Sequence, residues 1–287
     1  MTTWNDVKDD PKYVQLMDHG FVGLIDVMGD DAAIDTAARC SYGTGTRKTS
    51  DMRGLIRYLV RHYHTSPLEM VELKFHIKIP IFVMRQHVRH RTANLNEYSA
   101  RYSEMTDEYY VPEISRFQGQ HSDNKQASGD VLPFDVALHL QDEFKLVYRK
   151  MDDLYHDALD AGLARELARI VLPVGGYTEL YWKIDLKNFL HYVRLRDDPH
   201  AQKEIQILAN AMYELVKPHV PLTCEAFEDF WQQSVTFSKQ EMVLLKGLLS
   251  KDLWHQKQYD NRDDKGLASN YGMSVKELGE FVKKLDI

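Results

Sequence analysis

Val71-Glu72-Leu73-Lys74-Phe75-His76-Ile77-Lys78-Ile79 alternates apolar and polar residues without a break. A period of two puts Val71, Leu73, Phe75, Ile77 and Ile79 on one face of a strand and Glu72, Lys74, His76 and Lys78 on the other. Such a strand is half-buried and of antiparallel type, because strands of a parallel sheet are covered on both faces and read as continuous apolar runs. Just upstream, Ser66 precedes Pro67 with Glu69 three residues on. That is the pattern of an N-cap with a capping box, so a helix start is expected within 64–69. Downstream, Pro80 closes the strand, and 81–88 has helical spacing through Ile81, Met84 and Val88. Arg85 and Arg89, four apart, then share a neighbouring helix face.

The same periodicities organise the rest of the chain. FVGLIDV within 20–27 reads as a strand, and Asp30-Asp31 opens a helix through Ala37 and Ala38. Ser41-Tyr42-Gly43-Thr44-Gly45-Thr46 is expected to be a small-residue loop; without a third glycine opening a helix it is no dinucleotide fingerprint. Residues 51–62 return to helical spacing, with Leu55, Tyr58, Leu59 and His62 on one side. The polar stretch 115–129 reads as a long surface loop or lid. Residues 133–161 give the longest helix, whose stripe of Val136, Leu140, Phe144, Val147, Met151, Leu154 and Ala158 suits both a core and a subunit interface, with Gly162 as its stop. A strand at 177–184 follows, then Asp185 as cap of a helix from Leu186 to near Arg196, and a further helix from 200–202 through Leu215. Antiparallel strand patterns mixed with long helices, without βαβ alternation, define an α+β fold.

A chain of 287 residues that is 44% hydrophobic can bury a sizeable core. Residues 1–10 lack an apolar signal core, and no apolar run approaches the ~18 residues of a membrane span, so a cytoplasmic protein is expected. Cys40 and Cys224 form neither a disulfide framework nor a CxxC pair. A net charge of -7 argues against broad nucleic-acid binding, which needs an extended basic surface.

Against that acidic average stands Arg89-His90-Arg91-Thr92-Ala93-Asn94-Leu95-Asn96-Glu97-Tyr98-Ser99-Ala100-Arg101-Tyr102. Guanidinium keeps its charge and matches phosphate or carboxylate bidentately, so three arginines opposed by one glutamate predict a bound anion. Interleaved Asn94, Asn96, Glu97 and Ser99 suit a ligand with polar ring edges as well as a phosphate. The segment is expected to be a helix terminus running into a loop. Arg165 and Arg169, one helical turn apart in ARELARIVLP (164–173), add a second basic group; taken singly, Arg169 and Arg196 read as surface or ion-pair residues.

Arg89-His90-Arg91, seven residues, then Ser99 resembles the signature of the flavin-dependent thymidylate synthases. HYHTSPLE at 62–69, PIFVMRQ at 80–86, ARELARIVLP at 164–173 and LRDDPHAQKEI at 195–205 carry the resemblance further, from about Gly20 to Trp231. It implies that family's fold and its reductive methylation of dUMP to dTMP, with FAD as cofactor and methylene-tetrahydrofolate and NADPH as co-substrates. It also implies a homotetramer whose active sites are shared between subunits.

By the same resemblance, Arg196 is the catalytic cation that makes the uracil ring electron-rich at carbon five. Gln86, His87, Val88, Arg89, Glu97, Tyr98, Ser99, Ala100, Arg101 and Arg169 match nucleotide-binding positions, with Ser99 and Arg101 toward the phosphate. His64, Ser66, Arg89, His90, Arg91, Glu97, Asp185, Leu186, Lys187 and His191 match flavin positions. Asp185 departs from the asparagine frequent in the family, and position 191 varies there. No enzyme nucleophile is expected: neither cysteine has a suitable context, and Ser99 lacks an activating base.

Two rival readings use the same residues. A metal hydrolase could be built from His87-x-x-His90 and His62-x-His64 with Glu69 or Glu97 as a further ligand. A nucleotide-binding regulator would bind dUMP without turnover. The expected division is an enzyme domain at 1–231 and a mostly helical extension at 232–287. Within that extension the resemblance fades, 252–266 is charged and poorly apolar, and Ser274-Val275-Lys276-Glu277 carries a capping-box pattern. A helix-turn-helix there would lack a basic recognition face.

Overall fold

The computed structural model describes residues 1–40, 51–120, 128–248 and 264–285; the expected loop at 41–46 lies outside them, as does most of the charged stretch 252–266. Two units are present, 1–233 and 234–287.

The larger unit opens with a short helix α1 (Trp4–Val7), then β1 (Tyr13–Leu16), β2 (Gly20–Met28), α2 (Asp31–Arg39) and α3 (Met52–Arg61). Strand β3 (Glu72–Pro80) runs directly into α4 (Ile81–His87), followed by β4 (Asn94–Glu97). A small hairpin of β5 (Gln118–Gln120) and β6 (Ser128–Val131) leads to the long α5 (Phe134–Asp160) and the single turn α6 (Arg165–Ala168). Strand β7 (Tyr177–Asp185) continues without a loop into α7 (Leu186–Arg196), and α8 (Lys203–Val216) and α9 (Pro221–Phe227) complete the unit.

Five strands form one antiparallel sheet in the order β1-β2-β3-β7-β4. As the alternation of 71–79 predicts, β3 lies in the middle, pairing Ile77 with Val22 on one side and Leu180 on the other. Leu73, Phe75, Ile77 and Ile79 are fully buried with Val22, Trp182, Ile34, Ile56, Phe189, Leu208 and Phe227. Aspartates start three of the flanking helices: Asp30 accepts from the Ala33 amide, Asp51 from Gly54 and Asp185 from Asn188. Gly162, at φ +84°, lies just past the end of α5 in the left-handed conformation that only glycine adopts without strain.

Four expectations need correction. The opposite face of β3 is not solvated throughout, because His76 and Lys78 are buried as well. His76 is paired with Glu179 (2.7 Å) and Tyr13 (3.0 Å), while the Lys78 ammonium donates to Glu108 (2.6 Å) and the Thr2 carbonyl (2.7 Å). Charges can be buried there because every one has a partner. Second, Ser66 does not cap an α-helix: Ser66–Met70 is a 3₁₀ turn after Thr65 with no side-chain cap, since β3 begins two residues later and leaves no room for a full helix. Third, the arginine-rich segment is not all loop, as β4 adds an edge strand against β7. Within 115–129, β5 and β6 likewise pair, and residues 121–127 lie outside the described residues. Fourth, the α5 stripe contributes little to the core of one chain: only Ala137 and Tyr155 of this helix are buried, whereas Val136, Phe144, Val147 and Leu154 are each exposed.

The C-terminal unit contains α10 (Lys239–Leu248), α11 (Asp264–Asn270) and α12 (Val275–Leu285). Its predicted capping box forms: Ser274 N–H donates to Glu277 at 2.7 Å and Glu277 N–H to Ser274 Oγ at 3.2 Å. The last two helices are joined by a short turn and contact each other.

Candidate active site

Because β3 feeds straight into α4, the basic residues after that helix are fixed at the end of a buried strand. Because β7 feeds straight into α7, the face of α7 carrying Asn188, His191, Leu195 and Arg196 meets them. Between the two lies a cavity of about 440 Å³ lined by Arg89, His90, Arg91, Thr92, Ile184 and those four residues. Three arginines separated by about a hundred positions in sequence therefore share one cleft, as an anion site requires.

Arg196 is held by two hydrogen bonds, Nε donating to His90 Nε2 at 3.0 Å and Nη2 to the Gln86 carbonyl at 3.3 Å. To accept from Arg196, His90 must be neutral with its lone pair on Nε2. Burial, then the charge of Arg196 and the neighbouring His191, lower its pKa to about 4, so it is neutral near pH 7. His191 is lowered as well, by burial and by Lys187 and Arg194. The cleft thus excludes further positive charge and leaves its cations unquenched for a ligand.

Other candidate residues fall into separate groups. His64 and Ser66 line a second cavity of about 470 Å³ with Tyr58, Leu59, Pro67 and Met70, where the Tyr58 and His64 rings stack at 5.8 Å. Ser99 and Arg101 lie in the turn after β4, which is tied to α6 by ion pairs from Arg101 to Glu166 (3.7 Å) and from Arg165 to Glu104 (3.0 Å). Arg169, one turn beyond Arg165, is exposed. Tyr98 donates to the Glu104 carbonyl and Glu97 accepts from Thr178 (both 2.7 Å), with Ala100 half-buried beside them. Gln86 donates to Gln202 at 2.5 Å, and Val88 follows α4 as its cap.

Asp185 is occupied as the α7 cap, and Lys187 donates to Asn188 at 3.1 Å. Two candidates are not on any ligand-facing surface. Leu186 points into the core, and its N–H is taken by the Val71 carbonyl. His87 is completely buried between Trp182 and Tyr192, because the last turn of α4 packs that side against β7 and α7.

Thr92, Ile184, Asn188 and Leu195 line the cleft without having been singled out by the sequence. The i, i+3, i+7 spacing of Asn188, His191 and Leu195 marks them as one helix face with Arg196 beside it. For the hydrolase reading, His87 and His90 are engaged with Tyr192 and Arg196, and neither they nor His62 and His64 belong to a metal-like group among the described residues. The one such group is Asp107, Asp152 and His156, remote in sequence from the motif.

Comparison with known proteins joins these observations. Residues 23–222 match the family model described as thymidylate synthase complementing protein. The chain is 47% identical over 285 residues to the flavin-dependent thymidylate synthase of Rickettsia bellii, covering 95% of this chain and 93% of that protein. It is 49% identical over 236 residues to that of Ehrlichia ruminantium strain Gardel, covering 82% and 80%. The crystal structure of the UMP/dUMP methylase PolB from Streptomyces cacaoi, bound with 5-Br UMP, superposes with a TM-score of 0.69 at 34% identity, over 77% of this chain and 99% of that one.

An antiparallel α+β scaffold with a cationic cleft between a strand-helix junction and a second helix is thus that of a nucleotide methylase. The chain belongs to the flavin-dependent thymidylate synthases. Its activity is the flavin-dependent conversion of dUMP to dTMP, with FAD as cofactor and methylene-tetrahydrofolate and NADPH as co-substrates. The Rickettsia bellii match takes in nearly the whole chain, so similarity continues into the C-terminal unit, where the short motifs had faded.

Proposed function

We propose that Arg196 is the residue that activates the uracil ring of dUMP. Its place in the cleft with Arg89 and Arg91, braced by neutral His90, carries this reading. A cation fixed at the ring edge stabilises negative charge on the imide side of uracil, which raises electron density at carbon five. The fixed hydrogen bonds to His90 and Gln86 hold the guanidinium in place before substrate arrives, so little reorganisation accompanies the reaction.

Ser99, Arg101 and Arg169 bind the phosphate, with Gln86 and Tyr98 completing the nucleotide site. Arg89 and Arg91 supply donors for the flavin pyrophosphate. The stacked Tyr58 and His64, beside Ser66, offer an aromatic wall that fits a planar ring. When bound, FAD delivers the reducing equivalents that complete the new methyl group. These donor sets lie in separate places on one chain, which favours active sites assembled from several subunits. The exposed α5 stripe is the surface for that homotetramer. The enzyme works in the cytoplasm; among the described residues no helix is long and apolar enough to cross a membrane. The division at 1–231 and 232–287 assigns catalysis to the first part.

Incubation with dUMP, methylene-tetrahydrofolate and NADPH tests this reading, with dTMP followed by mass spectrometry. Arg196→Ala is expected to lower the rate at least a hundredfold, on the scale of losing one oriented donor to developing charge. Unchanged turnover would remove Arg196 from the role.

A further inference from the structure

Below the cleft lies a polar pair that the reaction as described leaves without a task. His87 is fully buried against the rings of Trp182 (4.3 Å) and Tyr192 (5.2 Å). An imidazole in such a place is costly unless both nitrogens are paired. Here Nε2 has no partner among the described residues, and Nδ1 has one, the Tyr192 hydroxyl at 3.3 Å. An apolar ring would fill the same space without that cost.

Tyr192 is equally buried, and it touches the site. Its ring stands edge-on to His90 at 4.8 Å and 81°. His90 Nε2 in turn accepts from Arg196, one helical turn beyond Tyr192 on α7. Contacts therefore run without a gap from the core to the guanidinium: His87, Tyr192, His90, Arg196. The last link is sensitive to orientation. A flip of the His90 ring would put a carbon where Nε2 now stands, and the Arg196 side chain would lose the acceptor that limits its rotamers.

We propose that His87 and Tyr192 are positioning residues of this enzyme: their hydrogen bond sets the tilt of the Tyr192 ring, which orients His90 from below so that His90 aims Arg196 at the nucleotide. The proposal rests on the assignment of Arg196 to dUMP made above. It also gives a reason for an imidazole where the core would pack better around a hydrocarbon, because a buried hydrogen bond fixes one arrangement that apolar contact leaves free.

The test is a double-mutant cycle on the FAD-loaded enzyme, read as dUMP affinity by calorimetry and as turnover. His87→Phe and Tyr192→Phe remove the hydrogen bond from either side while keeping a ring. Each is expected to weaken dUMP binding about threefold to tenfold and to lower kcat by a similar factor, with FAD content unchanged. The His87→Phe/Tyr192→Phe double variant removes both polar groups; it should be at least as stable as the parent yet still bind dUMP weakly, a split that a purely structural role does not produce. In an Arg196→Ala background, adding either substitution should change dUMP affinity less than about 1.5-fold, because the residue they act through is gone.

Equal losses in both backgrounds, or no loss from either single variant, would overturn the proposal. Should His87→Phe fail to fold, Tyr192→Phe completes the same cycle. If Arg196→Ala alone binds and converts dUMP like the parent, the assignment of Arg196 falls, and this proposal with it. That outcome is distinct, because in the other failures Arg196→Ala is impaired.

Discussion

Lys78 shows how a single residue can be both buried and charged in this protein. Its ammonium is fully covered and held by Glu108 and the Thr2 carbonyl, which anchors the N-terminal segment to the sheet. Glu179 on the neighbouring strand does the same from its side: burial would raise its pKa, but hydrogen bonds from His76 and Thr2 outweigh that and hold it at about 2. Replacing Lys78 by Met takes this donor from the Thr2 carbonyl and leaves the Glu108 carboxylate only the Thr106 hydroxyl as a hydrogen-bond donor (3.0 Å). A loss of about 3 kcal/mol is expected in urea denaturation, the usual scale for removing one member of a buried pair. A loss below about 1 kcal/mol would show that water replaces the ammonium.

His87 and His90 both contribute to the dependence of stability on pH. Burial, followed by His90 and Arg196, lowers His87 to about 3, and His90 stands at about 4, against 6.5 in the unfolded chain. Between those values and 6.5 the unfolded state binds more protons, so stability is full above pH 6.5 and falls as the pH drops toward 4. Unfolding free energies from urea denaturation at pH 7, 5.5 and 4.5 should decline, by about a few kcal/mol in total for His87 alone. His87→Phe should flatten that decline, and an unchanged slope would place its cause elsewhere.

At the scale of elements, the junction between β7 and α7 carries the most consequence. Asp185 ends the strand, caps the helix through the Asn188 amide (2.9 Å), and also accepts from the Asn188 side chain (2.6 Å). Since α7 bears His191 and Arg196, the cap fixes the start of the helix that delivers them. Asp185→Ala should cost about 1 kcal/mol and raise KM for dUMP, whereas Asp185→Asn, which still caps, should stay within about 0.5 kcal/mol. Equal effects of the two on stability would mean that the cap is not what matters. The same junction explains a misreading. The strand at 177–184 and the capping aspartate are legible in the sequence, but nothing local announces that residues 94–97 add to the edge of the sheet. With two asparagines and a glutamate in four residues they carry no apolar stripe, and only the unpaired edge of β7 makes them a strand.

For the whole molecule, the exposed face of α5 is the feature a single chain does not account for. Val136, Phe144, Val147 and Leu154, spaced along one side of the helix, are all exposed, an apolar stripe that a surface helix of a monomer does not need. Val147→Asp is expected to shift the sedimenting species to a smaller assembly and to reduce activity with it, because the candidate groups lie apart on one chain. Retention of the full assembly would assign that face to another partner.

Much of this was legible beforehand. The alternation of 71–79 placed the central strand, apolar periodicity and capping aspartates placed the long helices, and the charge contrast of 89–102 marked the basic segment whose first residues line the cleft, because each depends on residues near in sequence. What only the tertiary structure decided is which of them meet. It brought Arg196 to His90 and Arg89 across a hundred residues, buried His87, Lys78 and His76 against partners from other elements, and left His64 and Ser66 in a cavity of their own. Burial and pairing are properties of neighbours in space, and a linear pattern does not encode which charge will find its partner.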